Sequence, residues 1–212
     1  MATYSRYHPG QKSCWIDWET TGADFAPGLE GTFKKYQGIS FGVVIADNVT
    51  FEELDSLYVE LKFDDTKYQW TDGAENIHKL SREYLAENGV EREDGLAQLI
   101  EILIKHFGES VISFGDTEPT SKVCIGGHNV DFDIKATEQL FKDFGFNLGV
   151  HHVKLETSGA SFIAIGEYKS NTVFEFFNGG GQRGTHNALE DARLALGAAR
   201  GIKQLVQAAL SA

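Results

Sequence analysis

Apolar positions along the chain come first in short runs and later at helical spacing. Cys14–Trp18 reads as a strand. Ile39–Ile45 and Thr50–Leu61 read as two more, separated by the turn-like Ala46-Asp47-Asn48. Between the first two strands, Ala23–Tyr36 reads as a long loop. Leu96–Phe107 has the spacing of an amphipathic helix. Lys122–Ile125 is a short apolar strand ending at Gly126-Gly127, and Phe132–Phe144 is helical again. Ser158–Glu167 is a further helix, Asn178–Gly184 a glycine-rich loop, and Ala188–Ala209 a long helix. A meander of strands followed by alternating helices and strands predicts an α/β fold with a mixed sheet.

Three acids interrupt this pattern where an apolar residue is expected. Side chains alternate faces along a strand, so Asp17 and Glu19 share one face of the first strand. Two adjacent carboxylates repel unless a cation lies between them; the competing reading is a solvated strand end. Asp133 stands at the start of the apolar stripe formed by Ala136, Leu140, Phe141 and Phe144, opposite Lys135, Gln139 and Lys142. It reads either as a ligand or as a first-turn acid favoured by the helix dipole. Asp131, on the polar side, fits that plainer role. In the last helix, Arg193, Arg200, Gln204 and Gln207 form a polar arc. Asp191 lies in the opposite apolar face, among Ala195, Ala198, Ile202, Leu205 and Ala209. A buried charge there is costly unless it is paired or coordinates a metal. Asn187 with Glu190 resembles a capping box and starts this helix near Ala188. His186 is left just outside, in the flexible glycine-rich stretch.

One metal site unites the three anomalies. Hard carboxylate oxygens suit Mg²⁺ or Mn²⁺. Four carboxylates can hold two such ions roughly 4 Å apart, the arrangement used in phosphoryl transfer, with a nearby histidine as general base.

The bulk numbers narrow the picture further. The 212 residues suffice for one sizeable core. No apolar run reaches the length of a membrane span, and Met1–Ser13 lacks an apolar secretion core; a cytoplasmic location is expected. Cys14 and Cys124 are too few for a zinc site or a disulfide scaffold. The net charge of −12 is unusual for a protein that grips nucleic acid over a broad basic face. Any such substrate is expected to bind locally, as a strand end or a short oligonucleotide.

The acids fall within three recognisable motifs. Asp17-Trp18-Glu19-Thr20-Thr21-Gly22 resembles DxETTG, and His128-Asn129-Val130-Asp131-Phe132-Asp133 resembles HNxxFD. His186-Asn187-Ala188-Leu189-Glu190-Asp191 resembles HxAxxD. In order and spacing these resemble the DEDDh 3′→5′ exonucleases, which include replicase proofreading subunits, ribonuclease T and oligoribonuclease. The resemblance implies a ribonuclease H-like fold, a mixed five-stranded sheet flanked by helices, in a single exonuclease domain over residues 1–212 with its core at about 13–209. In that fold the first strand is central and Cys14 and Cys124 lie on neighbouring strands as reduced thiols.

The resemblance also implies roles. Asp17, Glu19, Asp133 and Asp191 would hold two Mg²⁺ or Mn²⁺ ions, and His186 would be the general base. Thr20, Thr21, His78 and Asn129 would contact the substrate, with Asn129 and His128 otherwise bracing the turn before Asp133. Ile77-His78-Lys79-Leu80 resembles the IHGL-like segment beside the terminal base, with lysine where glycine is usual; an ordinary surface histidine is the alternative for His78. His151 and His152 read as a solvated turn, and Arg183 as a phosphate contact. The implied activity is release of nucleoside 5′-monophosphates from single-stranded 3′ ends, with DNA slightly preferred. The alternatives are an oligoribonuclease- or ribonuclease T-like RNA exonuclease and a catalytically silent interaction module. A homodimer or a polymerase partner would be in keeping with the family.

Overall fold

The computed structural model describes residues 11–23, 35–179 and 186–211. In chain order its elements are β1 (Lys12–Thr20), β2 (Lys35–Tyr36), β3 (Gly38–Asp47), β4 (Glu53–Glu60), β5 (Tyr68–Gln69), α1 (Asp72–His78), α2 (Arg82–Asn88) and α3 (Arg92–Phe107). There follow β6 (Ile112–Phe114), β7 (Ile125–Gly127), α4 (Val130–Asp143), β8 (Phe146–Leu148), β9 (Leu155–Glu156), α5 (Thr157–Ile165), α6 (Ser170–Phe177) and α7 (Ala188–Ser211).

The main sheet has five strands in the order β4-β3-β1-β7-β9. β1 is antiparallel to β3 and parallel to β7, and β7 is parallel to β9. The sheet is therefore mixed and β1 is central, as expected. Its alternation divides two cores. Cys14, Ile16 and Trp18 face a large apolar cluster that includes Leu96, Leu99 and Leu103 of α3 and Ile134, Leu140 and Phe141 of α4. Trp15 faces a smaller cluster that includes Val173 and Phe174 of α6 and Ala192, Ala195 and Leu196 of α7.

Close packing on the second side depends on missing side chains. Gly42 of β3 pairs with Asp17, and a Cβ at Gly42 would overlap the backbone of Leu189. Glycine there lets the first turn of α7 rest on the sheet beside β1.

The expected strand at Lys122–Ile125 lies further along, because Gly126 and Gly127 continue it. A Cβ on Gly126 would stand 2.7 Å from the Trp15 ring, so these glycines mark close packing and not a turn. The apolar face of α7, expected to run to Ala209, is buried only as far as Ala198, whereas Leu205 is 43% exposed. A helix of 24 residues, about 36 Å long at 1.5 Å per residue, outruns the sheet it covers. The long loop expected at Ala23–Tyr36 lies mostly outside the described residues, as does most of the glycine-rich stretch with Arg183. Among the described residues, no helix is long and apolar enough to cross a membrane.

The two thiols lie where expected. The Cys14 amide donates to the Cys124 carbonyl at 2.9 Å, and both cysteines are free and buried. Burial pushes the Cys14 thiol up to about 12 and the Cys124 thiol to about 11, so both are unreactive at neutral pH.

Candidate active site

Asp17 and Glu19 sit near the end of the central strand, on the face that Trp15 occupies lower down. Glu19 is 8% exposed and Asp191 only 1%. Asp191 belongs to the first turn of α7, whose start is fixed by Asn187. The Asn187 side-chain oxygen accepts the amides of Leu189 at 3.1 Å and Glu190 at 3.2 Å, a side-chain N-cap. His186 directly precedes this cap, with Nδ1 3.8 Å from Asp191 Oδ2. Glu19, His186 and Asp191 bring ligand atoms within 4.8 Å of one another.

Asp133 arrives from the opposite layer. Its Oδ1 accepts the Trp18 amide at 2.9 Å. The Trp18 indole donates to Thr137 Oγ1 at 2.9 Å, and that hydroxyl donates to the Asp133 carbonyl at 2.8 Å. Trp18, the residue between the two motif acids, thus ties α4 to β1. Burial raises the Asp133 carboxyl well above the usual carboxylate range; the Trp18 amide opposes the shift, and the charges of Glu156 and Glu19 reinforce it. Hard carboxylate oxygens gathered in this way fit a divalent cation.

Glu156 was not anticipated from the sequence. Its Oε1 accepts the amides of Asn129 at 2.9 Å and Ser158 at 2.8 Å, and its Oε2 accepts that of Val130 at 2.8 Å. One carboxylate therefore caps α4, which carries Asp133, and α5. An acid directly before Thr157-Ser158 and an apolar run was the available signal. Asn129 bridges β7 and α4 in the left-handed region, at φ 60°, a conformation asparagine tolerates better than most.

These groups open into a cleft of about 520 Å³ lined by Asp17, Glu19, Asp133 and His186 on one side. Trp18, His128, Asn129, Phe132, Ser158, Tyr168, Lys169, Ser170 and Phe174 complete it. His128 holds Thr157 Oγ1 through Nδ1 at 3.1 Å and donates Nε2–H to the Tyr168 carbonyl at 2.8 Å, the bracing role expected of it.

Three expected substrate contacts lie inward. The Thr21 hydroxyl donates to the Gln69 carbonyl at 2.6 Å and accepts the Gln37 amide at 2.9 Å. The Thr20 hydroxyl donates to the Gly22 carbonyl at 2.8 Å. His78 is 3% exposed, so it is not the surface residue of the alternative reading. Its Nδ1 accepts the Leu80 amide at 3.0 Å and its ring meets Trp70 edge-on. Burial, aided by the nearby His186 and Lys79, pulls its imidazole down to about 4. Asp17, Glu19, Asp133, His186 and Asn129 line the cleft, whereas Thr20, Thr21 and His78 are buried and are not among its lining residues. Lys79, where glycine is usual, keeps the left-handed backbone at φ 62°. His151 and His152 pack against each other, with His151 Nδ1 accepting the Val153 amide at 3.0 Å.

No family model and no curated protein matches the sequence. The fold has clear counterparts among solved structures. One is exonuclease I, with a TM-score of 0.66 and 16% identity over 95% of this chain and 44% of that one. A zinc-ion-bound E. coli exonuclease I–ssDNA complex gives a TM-score of 0.63 and 15% identity, over 95% and 43%. A 3′-exonuclease that recognises the 3′ end of a histone mRNA stem-loop gives 0.60 and 15%, over 96% and 65%. The chain thus spans less than half the length of the exonuclease I structures. The ribonuclease H-like fold implied by the motifs is the fold of these structures.

Proposed function

We propose that this chain is a metal-dependent 3′→5′ exonuclease that releases nucleoside 5′-monophosphates from single-stranded nucleic acid. The observation that carries the reading is Asp191, buried in a helix and gathered with Glu19 and His186, two residues that line a cleft. Asp17 and Asp133 line the same cleft as Glu19 and His186, which supports the reading. The fold shared with exonuclease I and the histone mRNA 3′-exonuclease supports the same reaction class.

Two Mg²⁺ or Mn²⁺ ions held by Asp17, Glu19, Asp133 and Asp191 would supply Lewis acidity to the scissile phosphate and lower the pKa of the attacking water. His186, partly exposed beside Asp191, takes the proton from that water as general base. Asp191 stabilises the imidazolium that results. Trp18 and Glu156 hold Asp133 in register, and Asn187 holds Asp191. Asn129, exposed at the turn, faces the strand.

We propose DNA as the slightly preferred substrate, because exonuclease I structures of this fold hold ssDNA or an oligonucleotide. RNA is the second reading, favoured by the histone mRNA exonuclease. A length series of matched DNA and RNA strands, with products identified chromatographically, tests the assignment. Nucleoside 5′-monophosphates and faster loss of DNA are expected. Internal fragments or 3′-monophosphates would contradict the proposed reaction, and faster loss of RNA would reverse the preference.

A further inference from the structure

The cleft has one acidic wall and one wall of different chemistry. The second is built by the segment that opens α6, where Tyr168, Lys169 and Ser170 face the same space as the carboxylates. Lys169 is the only lysine or arginine among the described residues lining the cleft. Several cations elsewhere are committed to acids, such as Lys62 to Glu91, Lys105 to Asp55 and Arg193 to Glu53. Lys169 is exposed and makes no ion pair among the described residues. Its backbone is fixed to the acidic wall, because His128 donates to the carbonyl of the preceding Tyr168 at 2.8 Å. His128 belongs to the turn that leads into α4 and Asp133. One hydrogen bond thus ties the segment that carries Lys169 to the turn that leads to Asp133.

The chain's charge makes this cation matter. At a net −12, no general excess of positive charge draws a polyanion in, and phosphate neutralisation must be local. Ions bound by the four acids would offset the scissile phosphate and leave the neighbouring one facing carboxylates. Resting on the exonuclease reading, we infer that Lys169 binds the phosphodiester one nucleotide upstream of the scissile bond. Lys169 is then the substrate contact that distinguishes a strand from a single nucleotide, and Tyr168, 57% exposed, borders the same subsite.

The test compares Lys169→Ala, Lys169→Arg and the unaltered protein. Fluorescence anisotropy with oligothymidylate in Ca²⁺ reads binding without requiring turnover. Hydrolysis of the p-nitrophenyl ester of thymidine 5′-monophosphate with Mn²⁺ reads chemistry on a substrate lacking the upstream phosphate. Lys169→Ala is expected to weaken oligothymidylate binding about tenfold and to reduce the log–log salt slope by about 0.7, the value for one phosphate on a single strand. Ester hydrolysis should stay within twofold, and Lys169→Arg should restore binding. Unchanged affinity and slope in Lys169→Ala would overturn the inference, as would an equal loss on both substrates. If the unaltered protein neither shortens oligothymidylate nor cleaves the ester, the exonuclease reading fails, while the salt slope still reports on Lys169.

Discussion

On one face of the sheet, Cys14, Ile16 and Trp18 enter a core of leucines, isoleucines and phenylalanines. On the other, the alternate residues of the same strand begin with Trp15 and continue as Asp17 and Glu19. The first face is apolar from Cys14 to Trp18 and makes the structure. The second is apolar only for part of its length, where small residues of α7 pack on Trp15 and Val44. Where that packing gives way to acids, the cleft begins. A charged site can be built on a central strand because the opposite face supplies the stability that the acids do not.

Substitutions on the two faces should therefore separate activity from stability. The largest effect is expected for Asp191→Asn, which should reduce turnover on a labelled strand by about a thousandfold or more, ~4 kcal/mol in the barrier. Thermal melts in chelator should show no loss of stability, because a buried charge has been removed. A destabilised variant would mean that Asp191 serves the fold. Leu99→Ala, on the other face, should lower unfolding free energy by about 3 kcal/mol and leave kcat unchanged below its melting transition. Denaturant titration and kinetics on the same preparation check both halves.

Glu156→Ala joins the two classes. It strips two helix starts of a shared cap and should cost roughly 2 kcal/mol in denaturant titration. Turnover should fall about 10- to 100-fold, as for residues that orient metal ligands. A stability loss without a rate loss would remove Glu156 from the site.

Asp133 predicts a pH effect in metal-free protein. Its folded carboxyl is raised by burial, so the unfolded chain ionises first as pH rises. Its stabilising contribution is full below the unfolded pKa and is lost as pH rises through the folded one. His78, lowered by burial to about 4, acts oppositely: its contribution is present above its unfolded pKa and lost as pH falls towards 4. The difference between the unaltered protein and Asp133→Asn isolates the first effect. That difference should shift against the unaltered protein as pH rises in chelator, measured by urea unfolding at several pH values. A pH-independent difference would rule out the raised carboxyl. The smallest effect is expected for Lys79→Gly, which should relieve a left-handed lysine and raise stability by about 0.5 kcal/mol. An unchanged or lower denaturation midpoint would contradict that strain.

The long periodic segments were legible in the sequence because packing and pattern agree there. β1, β3, α3, α4 and α7 fall within a few residues of their expected bounds. α6 was not, because Ser170–Phe177 mixes aromatic and β-branched residues whose period is ambiguous, and its helix forms against α7. α1 and α2 were missed although Thr71 and Ser81 cap them through their side chains, a signal present in the sequence. The acids Asp17, Glu19, Asp133 and Asp191 were legible as charges in apolar patterns. Trp18 was not, because its amide and indole reach α4, a pairing that a sequence does not reveal; for Glu156 the one signal was an acid before Thr157-Ser158 and an apolar run. Thr21 and His78, expected at the substrate, are buried, which the motifs alone do not reveal.

The most direct test of the account is a 5′-labelled single strand incubated with the protein in Mg²⁺ or Mn²⁺, with and without EDTA, and resolved by length. Progressive shortening from the 3′ end that EDTA abolishes is expected. An intact strand under both metals, or shortening that EDTA leaves untouched, would contradict it.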